Sequence, residues 1–385
     1  MNIAYVTEYD SRQLTGSNEW SGTGYYIAQA LRSQSIKLNY IGPLKDRAPL
    51  RAIRKLKRHY YQLWHQKNYE KDPDPQTLKN YARQIEQKIS PKKDEIIFSA
   101  TVNPIAYLET DKAIAFWADG TFAGIADFYP QYSNLHRDVV NHWHQMEKLA
   151  LQKSRLAIYS SDWAAKSAIE FYQADPNKVK VVPFGANIES ELSFTTIKDA
   201  IESRPSDKCK LLFLGVDWLR KGGNTAYYVA KQLNQSGLKT ELNVVGCEPL
   251  IDEPIPEFLR PLGFINKSTP EGKQRLNRLI LESHFLILPS IADCTPIAFP
   301  EANSLGVPCL STNVGGIPTI IRNDENGKLF PVNSDIDKYC DYINNLFLDY
   351  TQYKQLAYNS FRAYESRLNW QVAGQKVKEL LATII

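Results

Sequence analysis

HFLILPSIADCTPIAFPEANSLGVPCLSTNVGGIPTIIRNDENGKLF, residues 284–330, decides the reading of this chain. It opens on an apolar run, His284 to Leu288, expected to be a buried parallel strand. Pro289 and Ser290 end it, Asp293 follows, and Glu301 lies eight positions later. EANSLG reads as helix, Val307 to Leu310 as a second strand, and Asn313 to Gly316 as a Gly-rich loop. In a doubly wound sheet, that order puts the loops at the carboxyl ends of the strands, where such folds bind ligands. Thr295 is expected to cap the helix, with Pro296 in its first turn. Backbone N–H groups of Thr295, Pro296's neighbours and Ile297 would then face an anion such as phosphate. Glu301, a pure acceptor when ionised, suits a ribose diol, and Asp293 suits sugar hydroxyls. Taken alone, two acids eight apart are surface acids bracketing an ordinary helix; the surrounding strand–helix–GlyGly order is what points to a site.

The chain has 385 residues, 43% hydrophobic and 23% charged, which is ordinary for a globular protein and enough for two domains. A net charge of +4 carries no implication of nucleic acid, and none is expected as a partner. Cys209, Cys247, Cys294, Cys309 and Cys340 are scattered without a CxxC and mostly lie in apolar runs, as expected of buried thiols in a reducing compartment. The start, MNIAYVTEYD, lacks a basic segment followed by an apolar one, so no secretory leader is expected. No apolar run approaches the roughly 20 residues of a membrane span. The expected location is cytoplasmic, with peripheral contact at the inner membrane surface as an option.

Strands are expected at Asn2 to Thr7, Ile36 to Ile41, Glu95 to Phe98, Ala113 to Trp117, Leu156 to Tyr159 and from Lys178, with helical stretches between them. SGTGYYIAQALRSQ, from Ser21, is a Gly-rich turn entering a helix, and SSDWAAKSAIEFY, from Ser160, is a capped helix. Residues 186–207 have few long apolar runs and carry Ser203, Pro205 and Ser206, which reads as an interdomain link. A second alternating series begins at CKLLFLG, from Cys209. The fold class expected is therefore α/β, with two Rossmann-like doubly wound domains facing across a cleft. Residues 1–186 form the first, 187–366 the second, and the amphipathic tail 367–385 packs back on the first.

The segment 284–330 resembles the donor-binding stretch of retaining family 4 glycosyltransferases (glycosyl transferases group 1), whose fold is GT-B. The matching residues are Pro289-Ser290, Asp293, Glu301-Ala302, Gly306-Val307-Pro308 and Gly315-Gly316. The family's first acid is usually Glu, and Asp293 is one methylene shorter. The residues after it are usually Gly-rich, where this chain has Cys294 to Ile297. The resemblance covers nearly the whole chain and is strongest from Cys209 to Phe330. It implies a transferase that moves a sugar from a nucleotide-diphosphate sugar to an acceptor hydroxyl on a polysaccharide, a lipid-linked sugar or a small metabolite. It also implies no metal or other cofactor, because cations and a helix terminus take that part.

Other stretches extend the resemblance. GVDWLRKGG, from Gly215, follows a strand and opens a helix; Arg220 and Lys221 there suit the diphosphate of a departing nucleotide. Lys221-Gly222 match the family's Lys-Gly, while Val216 holds the position of its usual Arg. Gly22 and Thr23 lie in a Gly-rich loop that, in the family, lies against the donor phosphates and the acceptor. In FWADGTFAG, Asp119 stands near the point where many members have a His beside the reacting sugar. Phe264 and Ile265, in LGFI, match a strand whose backbone meets the nucleobase. Two other readings stay open: a different GT-B reaction, such as nucleotide-sugar epimerisation or phosphorolysis, and a non-catalytic sugar-nucleotide-binding scaffold.

Lys45 to Lys93 holds 14 Lys and Arg against 5 Asp and Glu. Within it Leu50, Ile53, Leu56, Tyr60 and Leu63 recur at helical spacing, with Trp64 beside them and Arg51, Arg54, Lys55 and Arg58 over much of the remainder. Such a helix lies on an anionic membrane or grips an acidic acceptor. The plainer reading packs the apolar stripe on the first domain and leaves the charges solvated. His136, His142 and His144 lie on different helix faces, and Asp72-Pro73-Asp74 and Asp335-Ile336-Asp337 follow no core strand, so none is read as a metal site.

Overall fold

The computed structural model describes residues 1–14, 19–188 and 192–385. The chain divides into two compact units, residues 1–183 with 370–385, and residues 184–369.

The first unit holds a six-stranded parallel sheet: β1 (Asn2–Val6), β2 (Lys37–Ile41), β3 (Ile96–Ser99), β4 (Ala113–Ala118), β5 (Leu156–Tyr159) and β6 (Val179–Val181), in the order β2-β1-β3-β4-β5-β6. Every residue of β3, β4 and β5 is buried, as unbroken apolar runs with helices on both faces require. The chain reverses direction across the sheet between β1 and β3. The helix Trp370–Ala382 belongs to this unit: Trp370 stacks on Tyr26 at 6.2 Å, and Gly374 lies against the backbone of Ala30, where a Cβ would sit 2.5 Å from its carbonyl oxygen.

The second unit holds β7 (Cys209–Leu214), β8 (Thr240–Val245), β9 (Leu259–Pro261), β10 (Phe285–Leu288), β11 (Cys309–Thr312) and β12 (Gly327–Phe330), in the order β12-β11-β10-β7-β8-β9. All pairings are parallel. The order reverses between β7 and β10, which makes the gap beyond their carboxyl ends the switch point where doubly wound sheets bind ligands.

Residues 186–207 are not a plain link. They contain the helix Phe194–Ser203, whose Ser193 cap accepts the Thr196 N–H at 3.2 Å. Ile197 and Ile201, one helical turn apart, are fully buried in the core of the second unit beneath Gly306. Burial of each stabilises by about 1.5–3 kcal/mol, which holds the helix on the second unit. Arg204, next after it, is also buried and donates to the carbonyls of Leu281, Leu305 and Gly306 and to the Tyr353 hydroxyl.

Four cysteines are buried, Cys247 is half-buried, and none forms a disulfide. No helix among the described residues is long and apolar enough to cross a membrane.

Candidate functional site

The site in the second unit is assembled by the loops after β7, β10 and β11. Gly222, at φ +77°, closes the first loop and caps the helix Gly223–Gln235. A Cβ at Gly222 would stand 2.0 Å from the Pro289 carbonyl oxygen, so the first two loops pack backbone to backbone. The Ile291 N–H donates to the Arg220 carbonyl at 2.9 Å, and the Gly316 N–H donates to the Asp293 carbonyl at 3.1 Å. The third loop is thereby tied to the second at Asp293.

The charged side chains converge on the same point. The Lys221 ammonium is bonded to Asp293 Oδ2, and Arg220 Nη1 lies 3.7 Å from the same oxygen. Arg220 also donates to the Ala292 carbonyl at 3.0 Å, and its Nε lies 3.4 Å from Asp217. Asp293 and Lys221 are nearly buried, with side chains 8% and 13% exposed. Val216, in the position of the family's usual Arg, is exposed and adds no charge.

Glu301 lies in the helix Ala298–Asn303 and is 1% exposed. Its Oε1 is 2.6 Å from Lys267 Nζ, whose side chain is 39% exposed. Burial raises the Glu301 carboxyl above its ordinary range, and the Lys267 charge and hydrogen bond pull it back. Lys267 escaped the sequence reading because the pair is 34 residues apart in the chain.

The helix does not begin where expected. Thr295 and Pro296 precede it, Ile297 occupies the cap position without a side-chain cap, and the first residue is Ala298. Pro300 explains the shift. A start at Pro296 would put Pro300 where its missing N–H is needed and its ring meets a carbonyl; a start at Ala298 keeps it in the first turn, where no such bond exists. The helix is six residues long, so its dipole is short. Phe264 and Ile265 are likewise not on a strand, since β9 ends at Pro261. Phe264 is exposed and Ile265 is buried, so of the two side chains the Phe264 ring is the one open to a ligand.

In the first unit, Gly22 at φ +78° caps the helix Thr23–Ser33. Thr23 is buried, so its side chain does not face solvent. Asp119 follows β4 and accepts the Trp20 indole N–H at 3.0 Å, which joins the β4 loop to the turn before the Gly22 helix. Behind Asp119, the buried Glu147 accepts the Phe122 N–H at 3.0 Å. Burial pushes the Glu147 carboxyl up to about 8, with the Asp119 charge adding to the rise and the Phe122 N–H opposing it.

Three of the histidines make structural contacts. His136 caps the helix Arg137–Lys153 by accepting the Asp138 N–H, and His144 Nδ1 lies 2.9 Å from the Tyr172 hydroxyl. Asp74 caps the helix Pro75–Lys88 and Asp335 occupies the cap position of Ile336–Leu348. Buried His284, at the edge of β10, accepts the Lys210 N–H at Nδ1, so Nε2 carries the proton toward the Pro205 carbonyl at 2.9 Å.

Residues 194–363 match the family model described as Glycosyl transferases group 1. That span covers the helix Phe194–Ser203, all of the second sheet and the site at Asp293. A curated relative, the UDP-Gal:alpha-D-GlcNAc-diphosphoundecaprenol alpha-1,3-galactosyltransferase of Escherichia coli, is 24% identical over 173 residues, 43% of this chain and 44% of that protein. The chain spans about half the length of the curated relatives it matches. Among solved structures, sucrose-phosphate synthase from Thermosynechococcus elongatus superposes with a TM-score of 0.68 at 14% identity, covering 99% of this chain and 98% of that one. HepE of Anabaena, solved in complex with UDP-glucose, superposes at 0.61 with 14% identity over 100% of both. These likenesses establish the fold as α/β of the GT-B class, with two doubly wound parallel sheets.

Proposed function

We propose that this protein is a retaining glycosyltransferase of family 4 that moves a hexose-type sugar from a nucleotide-diphosphate sugar to an acceptor hydroxyl. The observation that carries the reading is the meeting of Lys221, Arg220 and Asp293 at the switch point of the second sheet, with Glu301 buried on the helix that follows. Two cations there neutralise a departing diphosphate, which is the largest electrostatic demand of such a transfer and supports a reaction without a metal. Asp293 holds the sugar hydroxyls and Glu301 the ribose diol. Phe264 and the backbone of Ile265 meet the base, and the backbone from Thr295 through Pro296 to Ile297 lies along the donor. The bond from the anomeric carbon to the diphosphate breaks, the acceptor oxygen attacks from the same face, and its proton passes to the leaving phosphate oxygen. In the first unit, Gly22 and Thr23 are assigned to the donor through the backbone of their Gly-rich turn, and Asp119 to a sugar hydroxyl or to the acceptor's deprotonation. The match to a group whose curated relative is named for a UDP-galactose donor makes UDP-sugars the first donors to try. That relative's name also makes a lipid-linked sugar the first acceptor to try. We place the protein in the cytoplasm.

A thermal-shift screen against UDP, GDP, ADP and their sugar conjugates, with and without EDTA, tests the donor site. Selective stabilisation by one nucleotide, unaffected by EDTA and lost in Glu301→Ala, is expected. No shift with any nucleotide refutes the donor assignment. Sugar transfer to an acceptor with the anomeric configuration kept, read by NMR of the product, separates this reading from epimerisation, phosphorolysis and non-catalytic binding.

A further inference from the structure

The basic segment forms the helix Ala48–His65, and its packing reverses the plainer expectation. What faces the first unit is polar and aromatic. Arg54 is buried, ion-paired with Asp46, and donates to the Thr77 hydroxyl at 3.0 Å. Lys57 reaches Asp74 at 2.6 Å, and the Tyr61 ring lies against Tyr69 and His136. The apolar stripe faces solvent instead. Ile53, Leu56, Tyr60, Leu63 and Trp64 share one face by their helical spacing, and all are exposed: Leu56 by 71%, Leu63 by 63% and Trp64 by 78%. A contiguous row of large apolar side chains left in water marks an interaction surface.

We propose that this helix docks the protein on an anionic lipid bilayer. Charge selects the occupant. Between Ala48 and His65 there is no Asp or Glu, and Arg51, Lys55 and Arg58 are exposed on the same helix. A second copy of this helix would bring one basic segment without acids against another. An acidic bilayer surface accepts both the cations and the apolar row, and Tyr60 and Trp64 are the residue types that settle at the boundary between headgroups and acyl chains. The helix has 18 residues, about 27 Å, and lies in the plane of the membrane rather than across it, because its underside is held by ion pairs to Asp46 and Asp74. It leaves the sheet after β2, at the carboxyl ends of the parallel strands, the same end of the first unit as Gly22 and Asp119. Docking therefore brings the proposed acceptor side toward the lipid surface, although the docking itself does not rest on the transfer reading.

The test is sedimentation of the full chain with vesicles of phosphatidylcholine alone and of phosphatidylcholine with phosphatidylglycerol, at low and high salt. Binding only to the anionic vesicles, weakened by salt, is expected. Leu56→Glu with Leu63→Glu should lower the partition coefficient by about tenfold or more, with thermal unfolding unchanged because both side chains are exposed. Arg51→Glu with Lys55→Glu should weaken binding to anionic vesicles in low salt. The blue shift of tryptophan emission on binding should shrink in Trp64→Phe. Equal binding to both vesicle types, or full binding by the double glutamate variant, overturns the proposal. So does self-association through this face, or retention on a soluble polyanion such as dextran sulfate, with no vesicle binding in either case.

Discussion

Asp293→Asn tests the centre of the proposed site by opposing two effects. In the wild type, one carboxylate serves Lys221 and Arg220, with side chains 13% and 19% exposed. Breaking a fully buried pair by removing one partner costs about 3–5 kcal/mol. Arg220 keeps Asp217 at 3.4 Å and the Ala292 carbonyl, so a loss of about 2–4 kcal/mol is expected here. For a unit of this size, each kcal/mol moves Tm by about 2–4 °C, which places the midpoint of the second unit's transition several degrees lower. The same substitution frees two cations for a diphosphate. UDP should therefore bind about tenfold more tightly, because 1.4 kcal/mol of the former pairing no longer has to be given up. At about 100 times its Kd, UDP adds about 2.7 kcal/mol of stability and should recover most of the lost Tm. Turnover of the UDP-sugar should collapse, since the side chain assigned to the sugar hydroxyls has lost its charge. Calorimetric unfolding with and without UDP, titration calorimetry and an initial-rate assay read the three quantities. Unchanged Tm would refute the ion-pair account, and weaker UDP binding would refute the aim of the two cations at phosphate.

Three further outcomes follow from the buried carboxylates. Glu301→Ala should raise the Kd for UDP by about 10- to 100-fold in titration calorimetry with kcat little changed, since two charge-assisted bonds of about 1.5–3 kcal/mol each are lost, partly offset by no longer displacing Lys267. Lys267→Met removes the charge that holds down the Glu301 carboxyl, so UDP affinity should fall more steeply than in the wild type as pH is lowered and the neutral acid replaces the acceptor. Glu147 binds a proton more readily folded than unfolded between its ordinary 4.5 and about 8, so its contribution to stability is present at acid pH and is lost as pH rises through that window, by at most about 1.4 kcal/mol per unit. Glu147→Gln keeps the acceptor for the Phe122 N–H and should unfold at higher urea than the wild type at pH 8 but not at pH 4.5, in equilibrium denaturation.

The strands were legible because parallel strands buried on both faces must be continuous apolar runs. Leu156–Tyr159 and Phe285–Leu288 therefore stood out without any partner being known. The helix Phe194–Ser203 was less legible. Phe194, Ile197 and Ile201 follow the i, i+3, i+7 spacing behind the Ser193 cap, but over only ten residues, and the Ser and Pro that follow were the stronger signal for a link. The start of the helix at Ala298 was legible in principle, in Pro300, but the N-cap preference of Thr295 was the stronger local signal. The amphipathic helix Ala48–His65 showed which residues share a face, not which face meets the protein. That choice was made by Asp46, Asp74 and Tyr69, residues outside the helix that hold Arg54, Lys57 and Tyr61.

The two acids of the candidate site share a feature that no local pattern displays. Each is paired with a lysine that is more exposed than itself: Asp293 at 8% with Lys221 at 13%, and Glu301 at 1% with Lys267 at 39%. A buried carboxylate without a counter-charge would take up a proton and become a donor, and a neutral acid is a poor partner for a hydroxyl pair. Lys267 opposes the rise that burial gives the Glu301 carboxyl, which favours the ionised acceptor. The lysine is also the partner that can leave at low cost, because its stem already reaches solvent. Lys267 can return its charge to water, whereas Lys221, more enclosed, must find another anion nearby. In the proposed function, the diphosphate of the donor would supply that anion. The difference in exposure between the two lysines fits the proposed donor site, with the phosphates at Lys221 and the ribose at Glu301.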